Sequence, residues 1–482
     1  MSTTVHDRID ETREAIQRLR APQPKGIRRP PGPSGRSAML QVLTRRLPLY
    51  ELIAHMTATY QPLGYVHMAR EHMYVLSDPD VIWQAFVTDA KSTVKGRGLQ
   101  LTRPLLGNGL LNSEGADHMR NRRLVQPVFH RQRIAGYCDD IVSATLDTEQ
   151  RWRILTGSAS VQIDVVEQMS NLTLDVVGRT LFGADLTGNA SAVGQALTSV
   201  LEGFSLAVRP TSAFFLRLPL PARQRMIAAI QDLDGIIATL IEEKREEVAA
   251  GRPGADVLSL LLQTVDVETG RPMTDEEIRD ETMTMVLAGH ETTAMALSWA
   301  LRDLSMNPDL RAWLRVEVDA VAADGMADLS SLPRTFAVIA ESMRLHPPAW
   351  VLGRSVTSSI DLAGFELPAG STFLASQYAM HRDPRFWPHA TRYDPTRWLD
   401  AEGAFDERNP DVPRGAWFPF GFGARRCIGE QFAWVEAVLA LARFVRDWDI
   451  DVIDAEAVQP LAAVTMRPRD AMMARLTQRQ SA

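Results

Sequence analysis

The feature that most constrains this chain is an unbroken helical pattern from Asp275 to about Met306. It opens on Thr274-Asp-Glu-Glu277, a capping box in which hydroxyl and carboxylate satisfy orphan backbone N–H groups. It stops ahead of Asn307-Pro308. Roughly 33 residues at 1.5 Å rise span about 50 Å, so the helix crosses a whole domain and the rest of the chain must pack around it. Its middle reads Ala288-Gly-His-Glu-Thr-Thr293. Gly289 and two adjacent threonines are poor mid-helix residues, together costing on the order of 1–2 kcal/mol. A local rule broken at the centre of a long helix marks a candidate functional site. A Thr hydroxyl there can bond back to the i−4 carbonyl, bend the helix and open a groove. The plain alternative is a solvated polar patch on an exposed face. The flanks MTMVLAG and AMALSWAL are apolar and favour burial.

The chain has only two cysteines, Cys138 and Cys427, in 482 residues. That is no disulfide framework and fits a reducing compartment. Cys427 lies in Phe420-Gly-Phe-Gly-Ala-Arg-Arg-Cys-Ile-Gly429. A thiolate needs nearby positive charge and N–H donors; Arg425 and Arg426 supply the charge. Gly421, Gly423 and Gly429 permit tight turns and close approach of the backbone to a planar ligand. A helix expected to begin at Cys427 and run to about Trp448 would aim its N-terminal dipole at the sulfur. The bland alternative is a small buried cysteine in a glycine-rich loop. A dinucleotide-binding loop is excluded, because the third glycine of G-x-G-x-x-G would fall at Arg426.

Two further patterns carry charge. Glu341-Ser-Met-Arg344 puts both charges on one face of an otherwise apolar helix ending before Pro347-Pro348. At a surface such a pair contributes a few tenths of a kcal/mol; the apolar context predicts burial and a need for a further partner. Asp117-His-Met-Arg-Asn-Arg-Arg-Leu-Val-Gln-Pro127 places His118 and Arg122 at i, i+4.

In this order the motifs resemble those of the cytochromes P450, over about residues 30 to 476. The decapeptide matches Phe-x-x-Gly-x-Arg-x-Cys-x-Gly at Phe420, Gly423, Arg425, Cys427 and Gly429. Ala288–Thr293 matches Ala/Gly-Gly-x-Asp/Glu-Thr-Thr/Ser in full. Asp394-Pro-Thr-Arg-Trp398 matches Pro-x-Arg-Phe/Trp, with Thr396 where members usually carry Glu. The resemblance implies a mainly α fold with a smaller β region, haem b lying between the long central helix and the Cys loop with its C-terminal helix. It implies Cys427 as the axial iron ligand, Phe420 packed near the sulfur, and a haem-thiolate monooxygenase that inserts one oxygen atom of O2. Ala288 and Gly429 would line the haem, while His118, Arg122, Arg354 and Arg425 would bind its propionates. Glu291 and Thr292 would be the acid–alcohol pair delivering protons, in a groove holding O2 and water. Glu341, Arg344 and Arg397 would form a structural triad. A peroxide-driven peroxygenase or isomerase on the same fold, and a non-catalytic haem-thiolate sensor, are the rival classes; neither accounts as well for Glu291 with Thr292.

Bulk properties bound the rest. A net charge of −7 argues against a nucleic-acid partner. The N-terminal segment, residues 1–29, is charged and is expected to be neither signal peptide nor anchor; Val5–Leu19 is expected to be a charged helix without assigned function. Apolar stretches such as Trp434–Val445 fall short of the roughly 18 residues a membrane-spanning helix needs. Arg29-Pro-Pro-Gly-Pro-Ser-Gly35 predicts an extended lead-in, and residues 30–482 a single haem domain. Gly64–Leu76 predicts two short strands around a turn. A cytoplasmic monomer is expected, with no fused electron-transfer module. Electrons would then come from a separate ferredoxin and an NAD(P)H-dependent ferredoxin reductase. Arg120, Arg123, Arg131, Arg414 and Arg426 are candidates for docking an acidic partner, or equally a solvated surface. Position alone nominates Ala349, Trp350, Val351, Leu352 and Val464 as pocket residues, Leu99–Leu111 as a lid and Leu201–Leu218 as a roof. Their apolar character predicts an apolar substrate such as a terpenoid, polyketide or fatty acid.

Overall fold

The computed structural model describes residues 4–19, 24, 26–44, 48–68, 71–157, 159–183, 194, 196, 199–200, 203, 220–252 and 254–480. The expected roof, Leu201–Leu218, therefore lies outside the described residues but for Gly203. The long helix is present as Asp275–Met306 and is closed by the expected capping box of Thr274 and Glu277. It is continuous through Gly289, and its residues from Ala294 to Leu301 are buried on every side. A helix apolar all round can only be stable if covered all round. The covering is done by helices Val165–Phe182, Pro333–Leu345 and Glu430–Asp447. Helix Arg131–Thr156 packs in turn on Val165–Phe182 and Glu430–Asp447. Among the described residues no helix is long and apolar enough to cross a membrane.

The smaller β region is a five-stranded mixed sheet. Its spatial order is Leu63–Met68, Glu71–Leu76, Thr372–Ala375, Leu352–Val356, Thr93–Lys95. The two strands expected over Gly64–Leu76 form and pair antiparallel, with Tyr65 opposite Tyr74; the residues that connect them lie outside the described residues. Met73 pairs with Thr372 in parallel, and Lys95 opposes Arg354 antiparallel. Beneath the sheet, Tyr74, Phe86 and Phe373 share one apolar cluster with Phe418, just ahead of the cysteine loop, and Phe422 within it. The sheet thus anchors that loop from below.

The proline-rich lead-in is extended only to Ser34; Gly35–Leu43 is helical. The Tyr65 N–H donates to Pro31 O at 2.9 Å, and a Cβ on Gly32 would lie 1.6 Å from Tyr65 O, so only glycine fits there.

Val5–Arg18 is the charged helix expected of the N-terminal segment, capped by Thr4 and Asp7. It does more than its charge foretold. Val5 and Ile9 enter the main core beside Leu105 and Leu106 of the expected lid. Arg8 pairs with Asp234 on helix Pro221–Ala249, and Asp234 also pairs with Arg279 of the central helix. The lid is accordingly no open loop: it contains short helices Arg97–Gln100 and Arg103–Leu106, the latter buried at Leu105 and Leu106. Burial of Ile9 (1% exposed) contributes about 2–3 kcal/mol. Ile9→Asp is expected to undock this helix, measured as faster tryptic cleavage ahead of Arg29 and a lower melting temperature. Unchanged cleavage would mean the helix contributes nothing to the folded core.

Candidate active site

Four stretches far apart in sequence meet around Cys427. The cysteine loop is held by its backbone: Cys427 N–H donates to Phe420 O at 2.8 Å, and Arg426 N–H to Gly423 O at 3.1 Å. Gly421 and Gly423 have φ of 71° and 57°, where a Cβ is strained. Gly429 does not: its φ is −87°, and a Cβ there would meet only Phe129, at an ordinary contact distance of 3.6 Å, so neither a tight turn nor crowding within the chain requires glycine at this position. The following helix begins at Glu430, with Gly429 as its N-cap, and not at Cys427 as expected. The chain turns through Cys427-Ile-Gly429 first, so the sulfur faces the Gly429 N–H rather than lying inside the first turn. Cys427 is solvent-accessible but walled by protein. Burial pushes its thiol up, opposed by the Gly429 N–H and by Arg122 and Arg426. Phe420 packs on Trp434 at 5.9 Å between ring centroids.

Helix Gly115–Val125 carries His118 and Arg122 toward this loop. His118 Nε2 lies 3.3 Å from Ala424 O, and Arg122 Nη1 donates to Arg426 O at 2.9 Å. Arg425 Nη1 donates to Glu114 Oε1 at 2.7 Å. Lys95 was not foreseen: its ammonium donates to Leu110 O at 2.7 Å and Ser113 O at 2.8 Å and lies 3.5 Å from His118 Nδ1. Arg354, across the sheet from Lys95, stacks over Phe86 with its guanidinium carbon 5.0 Å from the ring centroid. Burial pushes Lys95 down to about 7, and burial beside Arg425 lowers Arg354 to about 10. Glu281, also close to Lys95, is raised by burial to about 8 and is therefore protonated at neutral pH. Among the described residues, Lys95, Arg354 and Arg425 thus have Glu114 as their shared carboxylate partner. Buried charge without counter-charge is costly, so this cluster fits a dianionic ligand such as the two propionates of a haem.

That imbalance has a measurable consequence. In the cofactor-free protein Lys95 binds its proton less tightly folded than unfolded. Between about pH 7 and the unfolded lysine range the unfolded state holds more protons, so stability rises with pH. Lys95→Met is expected to stabilise the cofactor-free protein at pH 7 and to lose that advantage toward pH 10, read from denaturant midpoints. A pH-independent difference would contradict the burial cost.

On the central helix, Ala288 and Thr292, one turn apart, retain accessible surface, whereas His290, Glu291 and Thr293 are buried. The solvated-patch alternative for this motif does not hold. Thr292 Oγ1 donates back to Ala288 O at 2.7 Å. Burial pushes the His290 imidazole down and keeps it neutral. Glu291 accepts from Thr465 Oγ1 at 2.8 Å, a partner no local pattern announced.

Glu341 and Arg344 are completely buried and joined by two hydrogen bonds of 2.8 Å. Arg397 Nε donates to Glu341 Oε1 at 3.1 Å and Trp398 Nε1 to Oε2 at 3.0 Å. Arg344 donates its remaining protons to the carbonyls of His381, Ala390 and Arg392. The side chain of Thr396, the departure noted above, bonds to Asp394 and not to Glu341. The five arginines nominated for docking divide. Arg120 pairs with Glu277, Arg123 with Asp266 and Glu268, and Arg426 with Glu430. Arg120 and Arg123 are neutralised because the 266–277 segment folds over the helix that bears them, whereas Arg426 is paired within its own stretch, four residues along. Arg414 lies over Trp83 at 5.5 Å.

Of the nominated pocket residues, Trp350 is buried and donates through Nε1 to Ala463 O at 3.0 Å. Ala349, Val351, Leu352 and Val464 are partly buried. Leu461–Val464 falls in a hairpin of Pro460–Ala462 with Met466–Pro468.

Comparison with known proteins agrees with this geometry. The family model for cytochrome P450 matches residues 30–473. Cyclooctatin synthase of Streptomyces melanosporofaciens is 37% identical over 436 residues, covering 89% of this chain and 90% of that one. Pentalenene oxygenase of Streptomyces avermitilis is 35% identical over 412 residues, 84% of this chain and 88% of that one. Cyclooctat-9-en-7-ol 5-monooxygenase of Streptomyces melanosporofaciens is 32% identical over 387 residues, 80% of this chain and 81% of that one. A thiol poised over a glycine-bearing loop, a buried cation cluster short of anions, and an acid–alcohol pair in a domain-crossing helix coincide with that match: the chain belongs to the cytochrome P450 family and is a haem-dependent monooxygenase.

Proposed function

We propose that this enzyme hydroxylates or epoxidises a terpenoid, inserting one oxygen atom of O2 on a haem b whose iron is held by Cys427. The observation that carries this reading is the buried Glu291 beside the accessible Ala288–Thr292 strip. Haem ligated by a thiolate supplies electron density that favours O–O cleavage. The chain's own residues do the rest. Arg122, Arg426 and the Gly429 N–H favour the thiolate form of Cys427 against the cost of burial. Lys95, His118, Arg122, Arg354 and Arg425 would hold the propionates with charge-assisted bonds, while Ala288, Phe420 and Gly429 would pack against the macrocycle. Thr292 Oγ1 and the Glu291 carboxylate hold and pass protons, as a hydroxyl beside a carboxylate can. Glu341, Arg344 and Arg397 act only as structure. Ala349, Trp350, Val351, Leu352 and Val464 shape an apolar pocket.

The terpenoid assignment is supported by the similarity to cyclooctatin synthase and pentalenene oxygenase; polyketides and fatty acids are the other apolar candidates. Electrons come from a separate ferredoxin and an NAD(P)H-dependent ferredoxin reductase in the cytoplasm, to a monomer of one haem domain, residues 30–482, preceded by the segment 1–29. With three of the five arginines engaged internally, Arg131 and Arg414 carry the docking proposal. Charge reversal at both should slow reduction and flatten its salt dependence.

The test is a spectral titration of the ferric protein with cyclic terpene hydrocarbons, macrolactones and long-chain fatty acids, followed by turnover of the binders with ferredoxin, reductase and NADPH. Saturable low- to high-spin conversion by terpenes and an oxygenated product support the reading. Binding confined to fatty acids, or product with hydrogen peroxide but none with reductase and O2, overturns it in favour of another substrate class or a peroxygenase.

A further inference from the structure

Glu291 is gripped from outside its own helix. Thr465 Oγ1 donates to Glu291 Oε1 at 2.8 Å with both side chains buried, and Arg467 Nη1 stands 3.9 Å from the same oxygen. Thr465 lies in the turn of the hairpin formed by Pro460–Ala462 and Met466–Pro468, and Arg467 in its second strand, opposite Leu461. That turn is clamped on two sides. Trp350 Nε1 donates to Ala463 O at 3.0 Å, and Trp299 Nε1, from the central helix itself, donates to Met466 O at 3.0 Å. Met466 N–H donates to Pro348 O at 2.9 Å, and Ala463 N–H to Thr465 O at 3.0 Å. A threonine has one proton to give; once it is given to a carboxylate, its χ1 and the acceptor's orientation are fixed together. The common turn threonine, bonded to its own backbone, fixes nothing beyond itself.

We propose that Thr465 is a positioning residue for proton delivery, and Arg467 the counter-charge, together holding the Glu291 carboxylate in one orientation beside Thr292. The inference rests on the reading of Glu291 as the acid. Because Val464 and Trp350 adjoin the same clamp, the orientation of the acid is tied to the segment proposed above to line the substrate pocket. A Thr465 hydroxyl lost to solvent would free the carboxylate to rotate. A catalytic group misplaced by about 1 Å loses much of its effect, and reducing equivalents then leave as hydrogen peroxide.

The test compares Thr465→Val, which keeps the shape and removes the donor, with Thr465→Ser, Arg467→Gln and Glu291→Gln. Two readouts are used. The first is the infrared carboxylate band of Glu291, identified as the wild type minus Glu291→Gln difference in the ferric protein. The second is hydrogen peroxide released per NADPH consumed, with its solvent isotope effect, using ferredoxin and reductase without added substrate. Thr465→Val is expected to shift the Glu291 band and raise peroxide per NADPH toward the Glu291→Gln value. Arg467→Gln should act in the same direction but less, and Thr465→Ser should restore both readouts. A structural role alone would lower the melting temperature of Thr465→Val without moving the band. A wild-type band and stoichiometry in Thr465→Val, beside an impaired Glu291→Gln, overturn the inference alone. A Glu291→Gln protein identical to wild type in stoichiometry and isotope effect overturns the reading beneath it.

Discussion

Cys427→His is expected to fold, to bind haem and to be inactive. The loop does not depend on the sulfur: its bonds run from Cys427 N–H to Phe420 O and from Arg122 to Arg426 O. The cation cluster at Lys95, Arg354 and Arg425 is also untouched, so the propionates keep their partners. What is lost is the thiolate's electron donation. The carbon monoxide complex of the reduced wild type should show a strongly red-shifted Soret band, and the variant a band at the shorter wavelength of histidine-ligated haem. Turnover should fall on the order of a thousandfold or more, as when one member of an interdependent catalytic unit is removed. A wild-type Soret position in the variant would mean that Cys427 is not the ligand, and the assignment of the loop would be withdrawn.

The largest expected effect on stability is at Glu341. Its carboxylate accepts from Arg344 twice, and from Arg397, Trp398 Nε1 and the Asp394 N–H. Glu341→Gln would replace one acceptor oxygen by an NH2 group facing donors, and would leave the Arg344 guanidinium buried without its charge partner. Breaking a buried pair from one side costs about 3–5 kcal/mol, a large part of the 5–15 kcal/mol typical of a folded domain. The damage should reach the haem site, because the 388–398 segment that the triad holds leads into the cysteine loop. Little haem-loaded protein should accumulate, and the remainder should melt well below wild type. Arg344→Lys should fall between, since an ammonium cannot reproduce the two-pronged contact and the three carbonyl bonds. Glu341→Gln melting with wild type and full haem content would show the triad to be dispensable.

Glu291, Cys427, Glu341 and Arg344 could be nominated from the sequence because each sits in a local pattern. A capping box followed by periodic apolar residues defines the central helix, and an i, i+3 pair on an apolar helix signals a buried charge. The decapeptide puts arginines and glycines around one cysteine. Where expectation failed, the cause was tertiary. The start of the last helix was placed three residues early, because nothing in Cys427-Ile-Gly429 announces that Gly429 is the cap. Arg120 and Arg123 looked like a basic surface until the 266–277 segment brought Glu277, Asp266 and Glu268 onto them.

The sequence by itself determined the fold class, and it nominated Cys427 as the thiol for iron and Glu291 with Thr292 as the acid–alcohol pair, since these depend on residue type and spacing within a single element. Only the tertiary structure decided what surrounds them. Lys95 joins the cation cluster because two strands about 260 positions apart lie in register opposite Arg354. Thr465 meets Glu291 because a hairpin near the C-terminus is clamped against the middle of the central helix. Likewise the N-terminal helix is part of the core because Ile9 packs beside Leu105 and Leu106. Contacts of such separation leave no periodicity in the chain; they arise from burying apolar faces that each element shows only in part, and the polar side chains are carried into contact with them.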